Sequence, residues 1–191
     1  MNKSTLKIWR CAAFLLLATL LLPAAQMNRK RDPLTSAEID QLREMTIEPE
    51  KRLKLFVQYT ALRLDWIEKQ PPPDNLTHER LPTTSLEALD DFNALIDEID
   101  ANVDMFHRQH NDIRKSLKLI MESEKKWTEK LKSLEESVGL LSKDSVQQQK
   151  IRLGIKDALE AIESNLDSMK SVLEEQNEQA SERAKDKKSK K

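Results

Sequence analysis

The chain has 191 residues, of which 34% are charged, 4% are aromatic and only two are glycine. This composition leaves little material for a β-sheet and is typical of long helices and coiled coils. The formal net charge of −1 argues against the strongly basic surface of a nucleic-acid-binding protein. The single cysteine, Cys11, cannot form a disulfide framework within the chain.

Residues 1–25 have the pattern of a signal peptide. A basic start precedes an apolar run over residues 11–22, and Pro23-Ala24-Ala25 then supplies small residues for cleavage. The run is shorter than the roughly 20 residues that a membrane-spanning helix needs. Basic residues at 29–31 oppose translocation, so an uncleaved membrane anchor stays as an alternative. We expect an exported protein, periplasmic or secreted, whose signal is cleaved.

Two short helices are predicted next, over residues 35–69, after a flexible N-terminus at 26–34. Thr35 and Glu38 have the spacing of a capping box, in which each side chain accepts from the other residue's backbone N–H. Pro49 suits the first turn of a second helix, because the N–H that proline lacks is not needed there. We expect this second helix to span residues 49–69 and to end against the prolines at 71–73.

The second helix carries two apolar stripes. The first consists of Leu53, Val57, Thr60, Leu64 and Ile67, and the second of Leu55, Tyr59, Leu62 and Trp66. A helix that is apolar on two sides is normally buried between neighbours, so core packing is the first interpretation. The alternative is that the second stripe binds a partner protein.

Residues 70–84 are rich in proline and threonine and are expected to form an extended linker. After it, an apolar 3-4 spacing repeats through eight heptads. One position of the repeat reads Leu89, Ile96, Val103, His110, Leu117, Glu124, Leu131, Val138, and the other reads Phe92, Ile99, Phe106, Ile113, Ile120, Trp127, Leu134, Leu141. Heptads sustained over this length predict a coiled coil. We expect one helix from about Ser85 to about Val138.

A fourth helix is predicted to about residue 178, and its short connection to the third predicts an antiparallel hairpin over 85–180. Folding about residues 141–142 places the basic segment 114–126 beside the acidic segment 157–169. Residues 86–102 would then overhang, to be covered by the second helix or by self-association. The expected fold is all-α, a long antiparallel coiled-coil hairpin with a short N-terminal helical pair packing at one end.

Residues 181–191 have no apolar face and a net charge of +4, which is typical of a solvated, disordered tail. Contact of this basic tail with an anionic envelope surface is the alternative.

Polar residues at three places are candidate site residues. His110 and Glu124 interrupt the heptad repeat and are expected to set its register, with Lys156 as the partner of Glu124. Asp104, His107 and His110 are three residues apart, so on a helix they would share one side and could hold a divalent metal ion. No second carboxylate–histidine motif completes such a site, so we expect no cofactor.

Catalytic motifs are missing from the mature chain. It has no thiol nucleophile, no phosphate-binding glycine loop and no nucleophile elbow. We therefore expect neither an enzyme nor a small-molecule substrate.

Two resemblances rest on the first two helices. The motifs Leu34-Thr35-x-x-Glu38-Ile39 and Pro49-x-x-Arg52-Leu53-Lys54-Leu55 resemble a group of uncharacterised exported helical proteins of environmental bacteria, which implies export. Leu34-Thr35-Ser36-Ala37-Glu38 is similar to the Leu-Thr-x-x-Gln signature of small periplasmic helical chaperones and metal-stress sensors. Glu38 stands in place of the glutamine and the pattern occurs once, and a capping box explains the same residues.

Three functional hypotheses follow. The first is a structural or interaction protein of the bacterial envelope that binds a protein partner or itself and no nucleic acid. The second is a periplasmic chaperone-like stress protein that holds clients on an apolar helical face. The third is a helical metal sensor that uses Asp104, His107 and His110.

Overall fold

The structure is a computed structural model that describes residues 31–69, 82, 84–140 and 146–189. Within these ranges the chain forms five helices and no strand, which confirms the all-α prediction. The helices are α1 (Ser36–Glu44), α2 (Pro49–Lys69), α3 (Ser85–Arg108), α4 (Arg114–Leu140) and α5 (Val146–Ser189). The predicted signal at 1–25 and nearly all of the predicted linker lie outside the described residues. None of the described helices is long and apolar enough to cross a bilayer.

Helices α1 and α2 begin where the sequence predicts. The Thr35 hydroxyl accepts from the Glu38 N–H at 3.2 Å, and the Glu38 carboxylate accepts from the Thr35 N–H at 2.7 Å, which completes the capping box. Pro49 is the first residue of α2. The prediction of a flexible segment over 26–34 is wrong at its end, because Leu34 is buried and the Pro33 carbonyl is a hydrogen-bond acceptor within the fold. Residues 26–30 lie outside the described part.

Helices α2 to α5 form a four-helix bundle. Helix α2 packs on α3 and α4, and α5 packs on the same two helices from the other side. Helices α3 and α4 therefore face each other across the core, where the rings of Phe92 and Trp127 meet edge to face with centroids 5.7 Å apart. The predicted short helical pair at one end of a hairpin is thus wrong for α2, which is a full member of the bundle.

Side-chain contacts between two helices, taken at two points along their length, show whether the helices run parallel or antiparallel. Arg52 on α2 bonds to Asn102 on α3, and Arg63 lies beside Asp91, so these two helices run antiparallel. Lys130 on α4 pairs with Asp65 on α2 at 2.7 Å, and Lys115 pairs with Glu50 at 3.7 Å. Helix α4 is therefore parallel to α2, and the bundle alternates in direction along the chain.

The chain reverses between α3 and α4, so the single helix predicted over 85–138 is wrong. Helix α3 ends at Arg108 and α4 begins at Arg114. His110 has a φ of 59°, in the left-handed region. Its N–H donates to the His107 carbonyl at 2.9 Å, and the Asn111 N–H donates to the Phe106 carbonyl at 3.1 Å. These two bonds are a Schellman motif, which ends a helix by satisfying its last carbonyls.

The heptad pattern nonetheless identifies the core on both sides of this turn. Leu89, Ile96 and Val103 on α3 are buried, and so are Leu117 and Leu131 on α4. Because the turn reverses the chain, the two halves of one repeat line the same core from opposite sides. The predicted overhang of residues 86–102 does not occur, since α2 covers this segment, as one alternative proposed, and α5 packs along it as well.

Gly154 allows α5 to approach α3 closely. A β-carbon at this position would come within 2.7 Å of the Leu89 Cδ2 atom. The same approach brings the Asn93 side-chain amide to 3.4 Å from the Gly154 carbonyl, to which it donates. A glycine in a helix interior costs about 1 kcal/mol relative to alanine, so this position trades helix propensity for close packing.

Helix α5 differs from its prediction at both its register and its end. It runs antiparallel to α4, with Asn165 beside Glu124, whereas the predicted fold placed Lys156 there. It also continues to Ser189, so the prediction of a disordered tail over 181–191 is wrong for residues 181–189. These residues include Ala, Glu, Arg and Lys, which are strong helix formers, and extending an existing helix needs no new nucleation.

A buried arginine ties the N-terminal segment to the bundle. Arg63 is 1% exposed, and its guanidinium donates to both Glu38 oxygens, at 3.1 and 2.6 Å. It also donates to the Pro33 carbonyl at 2.8 Å, and Asp91 on α3 lies 3.7 Å away. One side chain thus connects α2 to α3, to α1 and to Pro33, two residues before the capping-box threonine.

We expect Arg63→Leu to lower the free energy of unfolding by about 3–5 kcal/mol, because it removes the guanidinium that pairs with the Glu38 and Asp91 carboxylates in the interior. Urea denaturation followed by circular dichroism measures this change. The matched control is Arg43→Leu, since Arg43 pairs with Asp40 on the surface and its loss is worth about 1 kcal/mol or less. Equal effects of the two variants would contradict the role given to Arg63.

We expect His110→Gly to raise the free energy of unfolding by about 1 kcal/mol, because glycine takes the left-handed conformation without the penalty of a β-carbon. His110→Ala keeps the penalty and is the control. Thermal unfolding of the three proteins measures the difference, and an alanine variant as stable as the glycine variant would show that the turn does not hold this conformation.

Candidate functional site

A cavity of about 310 Å³ lies where the α3–α4 turn meets the last part of α5, and we call it the end cavity. The turn and its flanks contribute His107, His110, Asn111, Asp112 and Arg114. Helix α5 contributes Gln176, Gln179, Ala180, Arg183 and Ala184. Eight of these ten residues are not among the predicted site residues, and the other two, His107 and His110, were predicted to hold a metal ion or to set the register.

Helix spacing explains why the cavity lies here. Residues 176, 180 and 183 continue the face of α5 that is buried lower in the bundle at Ile162, Met169 and Val172. Along this face the apolar side chains give way to an amide, an alanine and an arginine. The small side chains of Ala180 and Ala184 leave space that the turn does not fill.

Gln176 fixes the turn against α5. Its side-chain oxygen accepts from the Ile113 N–H at 3.1 Å, and its amide nitrogen donates to the Asn111 carbonyl at 2.9 Å. The side chain is buried, so these bonds are shielded from competing water. One amide thereby satisfies two backbone groups that the helix break leaves without partners, and it holds the wall of the end cavity in place.

Some of the charged side chains that line the cavity are paired with one another and one is not. Arg114 donates to both oxygens of Asp112, at 2.9 and 2.6 Å, and this hydrogen bonding lowers the pKa of Asp112 to about 2. His107 Nε2 lies 3.2 Å from a Glu175 oxygen. Arg183, by contrast, has no hydrogen bond or ion pair within the described residues. The cavity therefore presents one unpaired cation beside polar donors.

The predicted metal cluster is not assembled. His110 lies in the turn and not on the helix, because α3 ends at Arg108. Asp104 lies 3.8 Å from Arg108, while His107 pairs with Glu175 on another helix. Among the residues that the structure describes, no three His, Cys, Asp or Glu side chains are arranged to hold a metal ion.

The second stripe of α2 is mostly covered. Tyr59 is buried, and its hydroxyl donates to the Gln41 side chain of α1 at 2.8 Å. Leu55 and Trp66 are half-buried, which leaves Leu62, at 52% exposed, as the open member. The first stripe is buried throughout, as the core interpretation predicts. The partner-binding face predicted at Leu55, Tyr59, Leu62 and Trp66 is thus reduced to one well-exposed side chain.

Of the two polar residues in the heptad repeat, one lies outside the core and the other inside it. His110 is exposed in the turn, so its predicted register role in the core is wrong. Glu124 is fully buried, as its heptad position predicts. Its Oε1 accepts from the Asn165 amide at 3.4 Å, whereas the predicted partner Lys156 pairs with Glu160. Glu124 has a different partner from the predicted one because the register of α5 on α4 differs from the prediction.

Burial makes Glu124 a weaker acid than an exposed glutamate. Desolvation raises its pKa to about 7, and the nearby Asp100 carboxylate adds to the shift, against the Asn165 hydrogen bond. Burial also raises the pKa of Asp100. Within the described residues, Glu124 Oε2 and Asp100 Oδ1 are buried without a hydrogen-bond partner. Ionising Glu124 therefore places an unpaired negative charge in the core.

Comparison of the chain with protein-family models, with curated proteins and with solved structures gave no match.

We expect the free energy of unfolding to fall as pH rises from about 4.5 to about 7 and to stay low above that. The Glu124 pKa is higher in the folded than in the unfolded chain, so the folded state binds the proton more tightly. A rise from 4.5 to about 7 corresponds to roughly 3 kcal/mol.

Glu124→Gln removes this ionisation and should be more stable than the parent at pH 8, with little difference at pH 4.5. Urea denaturation at the two pH values measures it. Glu122→Gln, at an exposed position of the same helix, is the control. A Glu124→Gln variant that is destabilised equally at both pH values would contradict the assignment.

Proposed function

We propose that this protein is a non-catalytic interaction protein of the bacterial envelope, which contacts an anionic surface through the exposed end of α5. In this proposal, the antiparallel pair of α4 and α5, a shorter form of the coiled-coil hairpin predicted over 85–180, serves as a rigid spacer. Export by the predicted signal at 1–25 is part of the proposal.

The observation that supports it best is the continuation of α5 past the bundle. Ala184 still lines the end cavity beside the turn, and the helix runs on to Ser189, about 8 Å further at 1.5 Å per residue. The side chains of residues 181–186 are exposed. Residues 181–189 contain four basic and two acidic residues, and Lys190 and Lys191 follow. A helix end of this charge suits an anionic surface.

The other two hypotheses have less support in the geometry. A chaperone-like protein needs an open apolar face, and the stripe proposed for it is mostly covered by the fold. A metal sensor that uses Asp104, His107 and His110 needs these side chains together, and the turn at His110 separates them.

The test is cosedimentation of the protein with vesicles of phosphatidylglycerol and, separately, of phosphatidylcholine. We expect binding to the anionic vesicles that weakens as salt is added. The triple substitution Lys185→Gln, Lys187→Gln, Lys188→Gln should weaken it at least tenfold, because each lysine near an anionic surface contributes about 1 kcal/mol.

A matched triple substitution is available on α4, at the exposed Lys125, Lys126 and Lys132. It removes the same charge from the bundle itself and should leave vesicle binding within about twofold. Loss of binding to the same extent in both triple variants would show that net charge alone acts, and the proposed role of the α5 end would be wrong.

A further inference from the structure

We propose that the end cavity is a binding site for a compact phosphate-class oxyanion, either inorganic phosphate or a phosphate monoester. This site is separate from the surface contact proposed above, because it uses the side chains that line the cavity and not the lysines at 185–191. The argument rests on the charge balance of the cavity, on the placement of Arg183, on its donors and on its size.

The charge balance favours an anion. Two guanidinium groups, Arg114 and Arg183, line the cavity together with a single carboxylate, Asp112. Arg114 holds that carboxylate through two hydrogen bonds, so it offers little to a cationic ligand. Among the lining residues the remaining charge is that of Arg183, and the Glu175 carboxylate beside the cavity is held by His107 and Gln179. A neutral apolar ligand is also disfavoured, because the only apolar side chains in the lining are Ala180 and Ala184.

The placement of Arg183 is unusual for an arginine near the end of a charged helix. It lies seven residues after Gln176, and therefore on the face of α5 that points toward the turn. Neighbouring acidic residues on α5 do not hold it, since no hydrogen bond or ion pair to Arg183 occurs in the described part of the chain. A planar guanidinium that faces a cavity without a partner is suited to bind two oxygens of one phosphate.

Further donors lie around the same space. The His110 imidazole comes from the turn side, and the Gln179 amide of α5 has one N–H beyond the one it donates to Glu175 at 2.9 Å, whereas His107 Nε2 is held by the same carboxylate at 3.2 Å. A phosphate group has several acceptor oxygens and can meet donors from separate directions.

The size of the cavity limits the ligand. A volume of about 310 Å³ is at the lower end for sites that bind small molecules. It has room for a phosphate group and a short ester, but not for a polymer. The left-handed turn at His110 and the two hydrogen bonds of Gln176 hold this wall in one conformation, so the site exists before the ligand binds.

The test is a titration of the protein with inorganic phosphate at constant ionic strength, followed by the NMR signals of the imidazole protons of His107 and His110. We expect saturable shifts of these signals. Arg183→Gln should weaken the affinity about tenfold, the loss expected for a charge-assisted contact. Since Arg183 is exposed, the variant should keep its fold, and circular dichroism checks this.

The matched control is Lys185→Gln, which removes one positive charge from the same exposed helix end without touching the cavity. Its affinity should stay within about twofold of the parent. The proposal would be overturned by shifts that do not saturate, or by equal losses in the two variants.

A second arm with glycerol 3-phosphate distinguishes the source of the phosphate group. Arg183-dependent binding of both ligands supports a site for a phosphate monoester, such as a lipid headgroup. Arg183-dependent binding of inorganic phosphate alone supports a site for the free ion. If neither ligand binds in a way that depends on Arg183, the site is refuted. The vesicle experiment would be unaffected, because it depends on lysines 185, 187 and 188.

Discussion

The bundle depends on the reversal of the chain at His110. If the helix continued through this residue, the apolar faces of α3 and α4 would lie end to end along one rod and could not face each other. The Schellman hydrogen bonds end α3, and the Gln176 side chain holds the two backbone groups that the break exposes. The core pair of Phe92 and Trp127, the burial of Glu124 and the end cavity all require this turn.

Local chemistry in the sequence predicted the elements well. The capping box at Thr35, the helix start at Pro49 and the buried heptad positions depend on residues close together in the chain, so their patterns are visible without the fold. The turn at 109–113 keeps the heptad phase, and a continuous repeat therefore concealed it. The polar run Gln109-His110-Asn111-Asp112 was the available signal, because histidine and asparagine are among the residues that tolerate the left-handed region.

The parts of the site that sequence reasoning missed depend on contacts far apart in the chain. Gln176 is not among the predicted site residues, and its function in holding the turn follows from α5 reaching Asn111. Arg183 was placed in a disordered tail, where an unpaired arginine has no significance. The register of α5 on α4 differs from the one that charge patterning indicated, and two of the α4 lysines, Lys115 and Lys130, pair with acids on α2 instead. Surface pairs of this kind are weak and select a register poorly.

Arg63 has a consequence for the way the protein opens. Helix α1 is nine residues long and packs on α2, and a helix of that length has little stability of its own. Detaching it would take the Glu38 carboxylate and the Pro33 carbonyl away from the Arg63 guanidinium, which is 1% exposed in the fold. Such a state is costly enough that α1 opens together with the bundle and not by fraying from it. The amide protons of α1 should accordingly exchange with solvent in the same cooperative unit as those of α2, although the helix itself lies at the edge of the fold.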